Sequence, residues 1–142
     1  MKSLLTLIRL KQQLLDEKRL VATRLETEAA SINTKIETLD IEVVCESEAA
    51  RGDANSSFGY GSYISAARTR RRGLEEQLAQ VGEKIAEAAD EVADAFREMK
   101  HFELAQSLAD QRALAEANRR EQATMDEVGL TVYRRARASG GF

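Results

Sequence analysis

Gly52-Asp53-Ala54-Asn55-Ser56-Ser57-Phe58-Gly59-Tyr60-Gly61 is the one interruption in a 4-3 apolar rhythm that otherwise runs through a proline-free chain of 142 residues. Proline removes a helix hydrogen bond and clashes with the preceding turn, so its absence permits unbroken helices. Glycines clustered among small polar residues mark where a helix must stop. The sequence therefore predicts an all-α fold, a long antiparallel two-helix coiled-coil hairpin whose second helix is the longer. The whole chain is read as one coiled-coil domain: helix one over about 3–50, a turn over about 51–61, helix two over about 62–137 and a frayed tail at 138–142.

On either side of the turn the apolar residues step by four and three. In helix one these are Leu25, Ala29, Ile32, Ile36, Leu39 and Val43. In helix two they are Leu74, Leu78, Val81, Ile85, Ala88, Val92, Ala95, Met99 and Phe102. Such spacing keeps a narrow seam facing one partner helix. Folding back about the turn brings a residue near Leu39 opposite one near Leu74, and Ser3 opposite a position near Asp110. At a rise of about 1.5 Å per residue the arms measure about 70 and 110 Å, and Gln111 to Arg137 projects as a lone helix of about 40 Å. Its residues Met125, Val128 and Val132 form a further apolar face that wants a partner.

Composition agrees with a stripe rather than a globular core, since 5% of residues are aromatic and 32% are charged. A net charge of −3 supplies no positive field for nucleic acid or anionic lipid. A lone cysteine, Cys45, excludes an internal disulfide or a CxxC site and fits a reducing cytoplasm. The N-terminal run Leu4-Leu5-Thr6-Leu7-Ile8 is cut at Arg9 and Lys11, so it reads as neither signal peptide nor bilayer span. Leu4, Leu5, Leu7, Ile8, Leu10, Leu14 and Leu15 nevertheless spread wider than one seam. Three explanations stand beside one another: a thicker core, a protein-docking face and an amphipathic membrane anchor.

Charges near the turn oppose the helix dipole. Arg68, Arg70, Arg71 and Arg72 open helix two, and Glu46 and Glu48 close helix one. Cross-helix pairing with Asp40, Glu42 and these glutamates is one explanation; a basic docking patch is the other. Phe58, Tyr60 and Tyr63 lie beside them and either cap the coiled coil or anchor a protein partner.

Chemistry-bearing motifs are incomplete. Gly59-Tyr60-Gly61 lacks the third glycine of a dinucleotide loop, and no phosphate-binding loop occurs. Glu98 and His101 have the spacing of a di-iron ligand pair, but the chain has a single histidine and offers Lys11 and Gln12 where a facing glutamate is needed. No serine has a histidine to activate it, and two helices are expected to form no concave site. The sequence predicts a binding protein rather than an enzyme, with no cofactor and no metal.

Three islands then carry a resemblance: Tyr60-Gly61-Ser62-Tyr63-Ile64, Phe96-Arg97-Glu98-Met99-Lys100 and Met125-Asp126-Glu127. In their order and spacing the chain resembles the FliJ family, a coiled-coil component of the bacterial flagellar type III export apparatus. Met1-Lys2-Ser3-Leu4, Leu7-Ile8-Arg9-Leu10 and Asp16-Glu17-Lys18 look like its alphaproteobacterial branch. The resemblance implies a stalk similar to the F-type ATPase rotor coiled coil, with its terminal end in a hexameric export ATPase and its tip toward the export gate protein of the membrane. It also implies an escort role for unloaded export chaperones, and a cytoplasmic location at the inner membrane of the flagellar base. By the family pattern an exposed gate-binding stripe on helix two falls on Tyr63, Ala67, Arg70 and Leu74, beside Tyr60; Tyr63 matches the pattern, and Ala67 and Arg70 depart from it. Ring contact falls on the terminal segments, with Leu4, Leu7, Ile8, Met125, Val128 and Val132 as candidates. The competing expectation is a structural or adaptor coiled coil that self-associates through Met125, Val128 and Val132.

Overall fold

A computed structural model describes residues 2–52 and 59–140. It contains two long helices packed against each other, α1 (Lys2–Gly52, 51 residues) and α2 (Tyr60–Ser139, 80 residues), and no strand among the described residues. Both helices run slightly past the sequence expectation. α2 opens at Tyr60 because Gly59 serves as its N-cap, its carbonyl accepting the Tyr63 N–H at 3.1 Å. The Gly140 N–H closes the far end on the Ala136 carbonyl at 2.8 Å. Most of the turn, and Phe58 with it, lies outside the described residues.

The chain divides into two compact units. Within Leu10–Arg97 the helices run antiparallel around a seam of Ile32, Leu39, Ala67, Leu74 and Val81, flanked by half-buried Ala29, Ile36, Val43, Leu78 and Ile85. The four-three steps of the sequence become this seam because each apolar side chain recurs on the same side of its helix. Leu15, Ala88 and Ala95 are buried as well. Asp40 pairs with Arg71, and Lys18 with Glu91 at 3.0 Å, each within about one helical turn of the position given by folding the chain about its turn.

The second unit holds Met1–Arg9 and Glu98–Phe142. Here Ile8 and Met99 are buried, and Leu4, Leu7, Phe102, Ala105 and Ala109 are half-buried. Beyond Ala109 the only residue up to Ser139 that is not fully exposed is Glu116, covered by its own neighbours: Arg119 and Arg120 donate to its carboxylate at 2.8 and 3.3 Å. The stretch 111–139 thus meets solvent on all sides, as a helix longer than its partner must.

Two substitutions measure how narrow the seam is. Leu15 is 2% exposed, so Leu15→Ala should destabilise by about 2–5 kcal/mol, read from chemical denaturation followed by circular dichroism. Gly82 is exposed on the helix interior and a Cβ added there meets nothing within 4 Å. Gly82→Ala should therefore stabilise by about 0.5–1 kcal/mol, since it removes backbone entropy from the unfolded chain without a clash. An unchanged or lowered midpoint for Gly82→Ala would show that α2 is not a regular helix at that point.

Candidate protein-docking surfaces

Near the turn, the seam separates two surfaces. On one side stand Tyr63 and Arg70. Tyr63 is half-buried, and Arg70 lines a shallow depression with Thr34, Lys35, Thr38 and Glu42. Burial, followed by the negative charges of Glu42 and Glu46, pushes the Tyr63 phenol above its ordinary pKa of 10.0. On the other side Tyr60, Ile64, Ala67, Arg68 and Arg71 recur at helical spacing and meet Leu39, Asp40 and Val43 of α1 around an open groove of about 350 Å³. This groove corrects the expectation that two helices leave no concavity. Ala67 lies at its base: a methyl group stands at a seam position where Ile64, one turn before, and Leu74, two turns after, carry larger side chains.

The arginines divide as well. Arg71 donates from Nη1 to Asp40 and from Nε to Glu75 at 3.0 Å, and these hydrogen bonds, Asp40 first, hold its guanidinium above its usual pKa. Both pairs are close to half exposed, so solvent screens them and they add little to stability. Among the described residues Arg68, Arg70 and Arg72 make no ion pair, so cross-helix pairing accounts for one arginine of the four.

Two residues of the stripe implied by the family pattern lie in the seam. Ala67 and Leu74 are each 8% exposed and belong to the hydrophobic core between the helices, so they support the surface without forming it. Arg70 is the stripe's exposed member and Tyr63 is half-buried, while Tyr60, also half-buried, lines the groove on the other side of the seam. At the terminal end Ile8 is likewise buried and Leu4 and Leu7 are half-buried, whereas Leu5, part of the wide apolar face but not among the ring-contact candidates, is about half exposed. Helical spacing identifies a wide apolar face but does not say which of its edges a partner covers. Met125, Val128 and Val132 are 64, 54 and 59% exposed, and Leu114, Leu130 and Tyr133 add to the apolar surface of the same stretch.

Neither helix contains a window long and apolar enough to cross a membrane. No group of three or more His, Cys, Asp or Glu side chains is arranged to hold a metal among the described residues. His101 instead meets Phe102 edge-on, ring centroids 5.4 Å apart.

The family described as Flagellar FliJ protein matches residues 1–138. The chain belongs to the FliJ family. Flagellar FliJ proteins from two strains of Caulobacter vibrioides are 29% identical over 106 residues, covering 75% of this chain and 74% of theirs. No solved structure matches. FliJ membership makes the chain a flagellar export-related protein, and the alphaproteobacterial source of these relatives agrees with the branch read from its opening residues.

The position of Tyr63 has a pH consequence. A pKa raised on folding means that the folded chain favours the protonated phenol, so this stabilisation is present below the ordinary value of 10.0 and is lost as pH rises through the folded value. The thermal midpoint of the natural chain should fall more steeply with alkaline pH than that of Tyr63→Phe, while the two remain parallel near neutrality. Parallel curves throughout would mean that Tyr63 is solvated as in the unfolded chain.

Proposed function

We propose that this chain is a stalk that couples a flagellar export ATPase to the export gate. The observation that carries the reading is the stretch 111–139, helical throughout and uncovered, with Met125, Val128 and Val132 each more than half exposed. Together with Leu5 and the half-buried Leu4 and Leu7, it is the surface we assign to the hexameric ATPase ring. Tyr63 and Arg70 are the residues we assign to the gate protein. Engaged through both surfaces, the chain transmits nucleotide-driven changes in the ring mechanically and needs no cofactor or catalytic group of its own. Escort of unloaded export chaperones belongs to the same reading, as does a cytoplasmic position at the inner membrane of the flagellar base.

The decisive experiment is addition of the purified chain to the flagellar export ATPase. Binding and stimulation of ATP hydrolysis are expected, with both reduced by Val128→Glu, which places a charge on the exposed face without touching the seam. Absence of binding rejects the stalk. If sedimentation shows a concentration-dependent dimer that Val128→Glu dissolves, the uncovered helix serves self-association, and the chain is an adaptor coiled coil. For the tip, Tyr63→Ala should leave helicity intact and weaken binding to the gate protein; unchanged affinity would place the anchor elsewhere.

A further inference from the structure

We propose that the groove beside Ala67 is a second docking site, which takes a large apolar side chain from an acidic segment of a partner protein. The proposal rests on the packing of Leu10–Arg97 alone and stands whether or not the chain acts as an export stalk. Leu39 and Ala67 are buried beneath the groove, and Val43, Tyr60 and Ile64 are half-buried around it. The space of about 350 Å³ lies at the low end of the roughly 300–1,000 Å³ of ligand pockets, which suits one or two side chains better than a cofactor.

Charge selects the occupant. Arg71 is already neutralised by Asp40 and Glu75, whereas Arg68 stands exposed at the same groove with no ion pair among the described residues. The surplus is therefore one unmatched guanidinium next to an apolar hollow. A carboxylate beside a leucine or phenylalanine satisfies both at once, the ring or isobutyl group in the hollow and the carboxylate forked against Arg68. A polyphosphate or nucleic acid would meet the Asp40 carboxylate at the same rim without filling the apolar floor. The groove also lies across the seam from Tyr63 and Arg70, so an occupant there leaves the surface assigned to the gate free.

The test uses the full-length chain and a fluorescein-labelled, capped short peptide with a central leucine-phenylalanine pair flanked by glutamates. Fluorescence anisotropy should show saturable binding. The peptide with lysines in place of glutamates, and that with serines in place of the apolar pair, should not bind. Arg68→Glu should weaken binding at least about tenfold, as expected when one partner of a charge pair is reversed. Ile64→Ser should weaken it through the floor, while Arg24→Glu, which makes the same change in net charge on exposed α1 surface, should leave it unaltered. Circular dichroism would verify that each variant keeps its helicity. The proposal is overturned if the acidic peptide does not saturate the chain, if the lysine peptide binds equally, or if Arg68→Glu has no effect. It is also overturned in favour of a second copy of the chain if sedimentation shows a dimer that Arg68→Glu dissociates. Loss of the groove with export ATPase binding retained would remove this proposal and leave the stalk standing.

Discussion

The single-stripe seam between α1 and α2 is the constraint on which everything else depends. Ile32, Leu39, Ala67, Leu74 and Val81 form a core one side chain wide, with no third element among the described residues to thicken it. The cross-helix ion pairs cannot substitute for it. Lys18–Glu91 and Asp40–Arg71 are open to solvent on at least one partner, where desolvation gives little Coulombic advantage and side-chain ordering takes part of it back. Because burial is confined to one stripe, most of each helix's circumference remains available. A compact domain must place its binding residues on loops over a closed core; two paired helices expose binding faces along their length as a direct result of how little they bury.

Beyond Ala109 that seam runs out, and stability there has a different origin. The helix is supported by local pairs such as Glu116 with Arg119 and Arg120, and Gln122 donating to Asp126 at 3.2 Å. Pairs of this kind contribute about 0.2–0.5 kcal/mol each on an isolated helix. An isolated helix of this length is near the margin in water, and tertiary packing is what normally holds one firmly. A partner that covered Met125, Val128 and Val132 would therefore supply both affinity and the missing packing, so that binding and local helix stability become coupled. Self-association and the proposed ring binding would draw on one surface, since each is a way to bury the same apolar atoms.

The seam was legible in the sequence almost residue by residue, because period decides it: from Leu74 to Phe102 every residue placed on the α2 stripe is buried or half-buried. The turn was legible as an interruption, and α2 begins two residues before its expected start because Gly59 can cap it. What periodicity could not give is the division of labour at the edges of the stripe. Ala67, Leu74 and Ile8 sit at spacings that fit either an exposed band or a core, and only the opposing helix decides between the two. Arg68 and Arg71 are three residues apart on one helix face, yet Arg71 meets Asp40 while Arg68 has no ion pair among the described residues, a difference set by cross-helix register. The groove was missed for the same reason, since a hollow is a property of two facing positions and not of either sequence segment.

Ala67 shows why packing and docking oppose each other in a structure this thin. A leucine in its place would add buried apolar surface to the seam and fill the space between Leu39, Val43 and Ile64, but it would close the groove over which Arg68 stands. In a globular protein such a hollow could be made at the surface while the core remained complete. Here seam and surface are the same layer, one side chain deep, so a recess able to hold a partner's side chain must be an omission from the core itself. At Ala67 a small residue at a seam position lies next to Arg68, which has no ion pair among the described residues, so an apolar hollow and an unmatched charge meet in one place.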